Sequence, residues 1–151
     1  MTPHSSQPQI VSARPEMTAA IMAETGLDER VLRALVERFY EKVRRDSVLG
    51  PIFEDRIIDW APHLDRMVAF WSSVALMTGR YHGRPVPVHA RLPVEGAHFE
   101  RWLGLFRETA LEVCAPKGAE QVICRAERIA RSLSIAVEEA KAGPNAVPNL
   151  C

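Results

Sequence analysis

Four stretches of the chain repeat apolar residues at steps of three and four, the spacing that lines one face of an α-helix. In the first, Val31, Leu32, Leu35, Val36, Phe39, Tyr40 and Val43 form the stripe, with Asp28 placed as N-cap and Leu49-Gly50-Pro51 expected to stop the helix. A second is expected from Asp59 to Met77, its inner face carrying His63, Met67, Phe70, Trp71 and Val74. Pro62 is tolerated there because N–H groups of the first turn have no intrahelical acceptor. The third, between Glu95 and Cys114, joins Phe99, Trp102, Leu103, Phe106, Ala110 and Val113. Pro116 opens the fourth, in which Val122, Ile123, Ala126, Ile129, Ala130, Leu133 and Val137 recur out to Ala140. A shorter helix is expected over Thr18–Glu24, stopped by Gly26, and Ile52, Phe53, Ile57 and Ile58 should form an apolar corner. No segment alternates apolar and polar residues long enough to argue for a strand, so the fold class is all-α.

Where the periodicity fails, the chain is read as irregular. Thr78–Pro93 gathers glycines and prolines and should hold no more than one turn, around Val86–Arg91. Residues 1–17, rich in Pro, Ser and Gln, bury too little apolar surface to offset the entropy of ordering and are expected to be a disordered leader. The segment 143–151 is expected to be a similar disordered tail, with Gly143 and Pro144 ending the last helix, which leaves a working domain over 18–142.

Composition narrows the function classes. With 47% hydrophobic residues in 151, one core is within reach. Nineteen basic residues balance 19 acidic ones, and no block of like charge favours nucleic acid or anionic lipid, so neither a nucleic acid nor a membrane partner is expected. The longest mostly apolar run, Met67–Met77, is too short to cross a bilayer, and the N-terminus lacks a basic region followed by a hydrophobic run. The expectation is a soluble, cytoplasmic protein. Cys114, Cys124 and Cys151 form no CxxC pair, which argues for reduced thiols, Cys114 and Cys124 acting as small buried hydrophobes, and against a four-ligand structural zinc site.

Candidate chemistry centres on His89, in the loop 79-GRYHGRPVPVHARLP-93 between two predicted helices. A histidine in that setting can ligate the iron of a flat metallocofactor, although an isolated loop histidine is more often exposed. His63, on the preceding helix, could address the opposite face of the same group. Tyr40 and Trp102 lie on apolar stripes and carry polar handles, and by themselves such residues more often fill a core than contact a ligand.

Taken together, the run 39-FYEKVRRDSVLGPIF-53, then Trp60 and His63, Phe70-Trp71, the loop ending at His89, and 98-HFERWLGLF-106 resemble group III truncated haemoglobins, in order and over about residues 27–140. The resemblance implies a truncated globin, a two-over-two helical sandwich around haem b, with His89 as the proximal iron ligand. It places Tyr40, His63 and Trp102 on the distal side, where ligand chemistry occurs, and Met67 on the distal wall. Phe53 and Trp71 fall among the residues packed about the haem. Arg66, three residues after His63 and so on the same helix face, could reach a propionate, the alternative being a solvated surface arginine. Whether His63 faces the ligand, faces solvent or itself coordinates iron is left open.

The functional expectation is a haem protein that binds dioxygen and other diatomic ligands for nitric oxide or reactive oxygen chemistry, not for oxygen transport. Nitric oxide dioxygenase- or peroxidase-like turnover would need a separate reductase, because the sequence shows no flavin or nicotinamide domain. The rival readings are a non-catalytic haem-based gas sensor, a six-coordinate electron-transfer haem protein with His63 as sixth ligand, and a cofactor-free helical interaction module.

Overall fold

The computed structural model describes residues 12–81 and 96–142, which form six helices and no strand. They are α1 (Pro15–Thr25), α2 (Glu29–Arg45), α3 (Leu49–Arg56), α4 (Trp60–Leu76), α5 (Gly96–Val113) and α6 (Pro116–Ala142). His89, the turn expected around Val86–Arg91, the tail 143–151 and Cys151 lie outside the described residues. None of these helices is long and apolar enough to cross a membrane.

The strongest sequence signal yields the central helix. In α2 the side chain of Asp28 accepts the Val31 N–H at 2.9 Å, satisfying a donor that the first turn leaves without an intrahelical partner. Leu32, Leu35, Val36, Phe39, Tyr40 and Val43 are all buried, as the periodicity requires. Lys42, Arg44 and Arg45 occupy its last turn, where positive charge suits the carbonyl end of the helix.

The predicted stop at Leu49-Gly50-Pro51 is displaced. Helix α2 ends at Arg45, and those three residues open α3. Asp46 makes the break, its carboxylate accepting the Val48 and Leu49 N–H groups at 3.0 and 2.8 Å. Pro51 then falls in the first turn of α3, where its missing N–H costs nothing. Gly50 is required for a different reason. A Cβ there would sit 2.7 Å from the Arg44 carbonyl oxygen, a contact no side chain tolerates. In the apolar corner that follows, Ile52, Phe53 and Ile57 are half-buried, but Ile58 is 99% exposed and takes no part.

Two helix pairs, α2 with α4 and α5 with α6, make up the body, with α2 also packed on α5 and α4 on α6. One apolar cluster runs through all four, from Leu35 and Phe39 through Trp71 and Ala75 to Phe106, Ala110, Val122 and Ala126. Each large apolar side chain so buried stabilises the fold by roughly 1.5–3 kcal/mol.

Helix α1 begins at Pro15, inside the segment read as leader, and Ser12 and Ala13 are already tied to the body. The Ala13 N–H donates to the Thr78 carbonyl at 2.9 Å, and the Thr18 hydroxyl donates to the Leu76 carbonyl at 2.7 Å. The end of α4 needs such partners because the chain turns sharply there, with Met77 and Gly79 both left-handed at φ 58° and 73°. A buried hydroxyl pair, Ser72 Oγ and Thr78 Oγ1 at 2.7 Å, closes the turn. Composition alone missed this anchoring because the contacts are backbone and hydroxyl hydrogen bonds, not apolar burial.

Candidate functional site

Tyr40 sits where three helices converge. Its ring meets Phe53 of α3 at 6.1 Å, Trp60 of α4 at 5.7 Å and His63 of α4 edge-on at 5.1 Å. Trp60 and His63 are three residues apart, hence neighbours on one helix face, and their rings lie 5.6 Å apart. Burial pushes the Tyr40 hydroxyl above its ordinary value, so at neutral pH it remains a protonated donor.

Phe39 links this group to α5. It touches Tyr40 at 5.0 Å, Trp102 at 5.3 Å and Phe106 at 5.4 Å, each in an edge-on arrangement. Trp102 in turn stacks on Phe106 at 5.6 Å, and Phe106 on Trp71 at 4.8 Å. Tyr40 and Trp102 therefore flank one phenyl ring, which fixes both. Register comes from Asp46, only 8% exposed at its side chain, which binds Arg101 Nε at 2.7 and 2.8 Å while capping α3. The guanidinium of Arg101 holds the Asp46 carboxyl below the usual carboxylate range. Since Arg101 precedes Trp102, this contact fixes how α5 is turned about its own axis.

Helix α4 presents two faces of different character. Val68, Trp71, Ser72 and Ala75 are buried against the core. His63, Met67, Phe70 and Val74, at helical spacing on the adjoining face, are each left half-buried, and Phe70 meets the Tyr81 ring at 5.2 Å. An apolar stripe covered to that extent, with Trp102 and Leu103 half-buried as well, suits a flat and largely apolar group with a polar centre. Among the described residues no three His, Cys, Asp or Glu side chains come together to hold a bare ion.

Of the site residues expected from sequence, Phe53 and His63 meet the Tyr40 ring, Trp102 is linked to it through Phe39, and Met67 follows His63 on the same face of α4. Trp71 is buried and stacked on Phe106. Arg66 is exposed on α4. His89 falls in 82–95, outside the described residues. Burial pushes the half-buried Cys114 thiol up to about 11, whereas Cys124 is exposed and so is not the buried hydrophobe anticipated. The supporting roles of Trp60, Phe106 and Asp46 had weaker signals: helical offsets of three from His63 and four from Trp102, and an aspartate just ahead of Leu49-Gly50-Pro51.

Comparison with known proteins agrees with this architecture. Residues 21–141 match the model of the family described as bacterial-like globin. The chain is 36% identical over 109 residues to group 3 truncated hemoglobin ctb of Campylobacter jejuni, an alignment spanning 69% of this chain and 86% of the relative. The crystal structure of group III truncated hemoglobin from Campylobacter jejuni superposes with a TM-score of 0.68 at 34% identity, covering 72% of this chain and 89% of that one.

Proposed function

Because the chain belongs to the bacterial-like globin family, we propose that it binds haem b through His89 and uses Tyr40 and Trp102 to retain a diatomic ligand for redox chemistry. The observation that carries this reading is the pairing of a buried, protonated Tyr40 with His63 on one side of Phe39 and Trp102 on the other. When bound, haem supplies an iron centre that takes up dioxygen or nitric oxide and cycles between two oxidation states.

The polypeptide contributes donors and a dry enclosure. A Tyr40 O–H and a Trp102 indole N–H directed at a ligand with partial negative charge would each hold it by roughly 1.5–3 kcal/mol. At about 1.4 kcal/mol per decade, two such donors slow release by roughly two to four powers of ten. Slow release is unsuited to oxygen delivery and suits conversion of the held ligand, such as oxidation of nitric oxide to nitrate or activation of peroxide. The half-buried stripe of Met67, Phe70 and Val74 would cover the ring system and exclude water. His63, whose ring lies edge-on to that of Tyr40, would orient the phenol. Recycling the iron would fall to a separate reductase in the cytoplasm, the compartment in which reduced Cys114 and Cys124 are at home.

Stopped-flow measurement of oxygen release from the wild type, Tyr40→Phe and Trp102→Phe tests the proposal. Each substitution should accelerate release by about ten- to a hundredfold. Unchanged rates in both variants would remove the donor reading. Nitric oxide consumption in the presence of a reductant then separates turnover from sensing. Low-spin bands in the ligand-free ferrous spectrum would instead identify His63 as a sixth ligand.

A further inference from the structure

A groove of about 420 Å³ opens on the outer side of α2 and the start of α4, and Tyr40 forms its floor. Its lining is charged, with Glu37, Glu41, Arg45 and the joined pair Arg44–Glu54, and Leu64 supplies an apolar patch. Tyr40 is only 7% exposed, so the groove meets the aromatic cluster at a closed surface. Trp60 is shared between the two, because it lines the groove while its ring also packs against both Tyr40 and His63.

The way Trp60 is held matters. Its indole N–H is buried without a hydrogen bond of normal geometry, although it lies close enough to Glu54 to help hold that carboxyl below the usual range, behind the larger effect of Arg44. The outer face of the ring is covered instead by the Arg44 guanidinium, 4.5 Å from the ring centroid. Arg44 Nε is itself fixed by Glu54 Oε1 at 2.8 Å. A ring held by tilted and edge-on aromatic contacts and a cation–π contact, its N–H engaged by Glu54 in poor geometry only, can swing at little cost in hydrogen bonding.

We propose that Trp60, clamped by Arg44 and Glu54, controls access of small ligands from this groove to the Tyr40–His63 chamber. The groove is far larger than a diatomic molecule and its lining is charged, so it serves as a hydrated vestibule, while the indole is the partition between water and the aromatic cluster. The inference rests on the placement of ligand chemistry at Tyr40, but it makes a different kinetic prediction. Donors hold a ligand and so slow departure alone. A partition slows passage in both directions and leaves the equilibrium unchanged.

The test uses the haem-loaded protein with carbon monoxide, a weak hydrogen-bond acceptor whose rates report passage and not donation by Tyr40. Flash photolysis and ligand replacement should show Arg44→Ala raising the association and dissociation rate constants together by about two- to fivefold, the factor one exposed cation–π contact is worth. Affinity should not move. Glu54→Gln should act in the same direction more weakly, and added salt should speed association in the wild type but not in Arg44→Ala, since the exposed Arg44–Glu54 pair is screened. A second readout needs no ligand kinetics. Solvent exchange of the Trp60 indole proton, assigned by its loss in Trp60→Phe, should quicken in Arg44→Ala.

Unchanged association in Arg44→Ala, or a change confined to dissociation, overturns the proposal, as does unaltered indole exchange. If oxygen release from Tyr40→Phe proves normal while these carbon monoxide rates shift as stated, the donor reading fails and the access reading stands.

Discussion

Replacing Asp46 with alanine removes an acceptor shared by three residues in two parts of the chain. Its carboxylate takes the Val48 and Leu49 N–H groups at the head of α3 and both short contacts from Arg101 on α5. Loss of a capping side chain costs about 1 kcal/mol, with a range of about 0.5–2. Leu49 is 1% exposed, so water replaces the lost acceptor poorly, which places Asp46→Ala toward the upper end of that range. Arg101 is half-exposed and its share is largely screened by solvent. The expected loss is therefore about 1–2 kcal/mol, and at about 2–4 °C per kcal/mol the melting temperature should fall by several degrees. Asp46→Asn keeps one oxygen as acceptor and should lose less.

Urea unfolding of the haem-loaded protein at a series of pH values checks both magnitude and cause. Arg101, followed by the two backbone donors, holds the Asp46 carboxyl low in the folded state. A depressed folded value means that the stabilisation is fully present above the unfolded aspartate value of about 3.9 and is lost as pH falls through the lower folded value. The gap between wild type and Asp46→Ala should thus be constant from neutral pH down to the carboxylate range and should close only below it. Equal stabilities at neutral pH, or a gap that closes near pH 6, would refute the assignment of Asp46 as a charged cap.

Further outcomes follow from the same geometry. His89→Ala should lose haem on gel filtration and alter the absorption spectrum, and a tightly held, unchanged pigment would show that another residue ligates the iron. Gly104 lies within α5 with nothing within 4 Å of a built Cβ, so Gly104→Ala should stabilise by about 0.5–1 kcal/mol in thermal unfolding. Gly118 is the opposite case. A Cβ there meets Leu27 Cδ2 and the Thr25 carbonyl oxygen at 2.9 Å, and since a backbone oxygen cannot yield as a side chain does, Gly118→Ala should destabilise by about 1–3 kcal/mol. Shifts of the same sign in the two alanine variants would show that these packing distances are wrong.

Helix identity, facing and most termini were legible in the residues alone. The stripe from Leu32 to Val43 is buried as its spacing demands, Asp28 caps as its position suggests, and Gly26 ends α1 in the left-handed conformation at φ 73°. These features are local: they depend on the helical period, on donors left over at helix ends, and on the backbone freedom of glycine. The family resemblance groups Tyr40, His63 and Trp102 as a distal set, and the structure sets Tyr40 beside His63 and both Tyr40 and Trp102 against Phe39.

Tertiary structure decided what depends on partners far along the chain. Whether Leu49-Gly50-Pro51 stops one helix or starts another cannot be told from Gly and Pro, which suit either role; the carboxylate of Asp46 and the approach of Gly50 to the Arg44 carbonyl settle it. Ile58 and Cys124 look buried by composition, and the structure leaves both exposed. Trp60 carries no mark in the sequence that separates a core indole from a partition. That distinction needs Arg44 over the ring and Tyr40 and His63 packed beside it, an arrangement made by α2 and α4 together and written in neither singly.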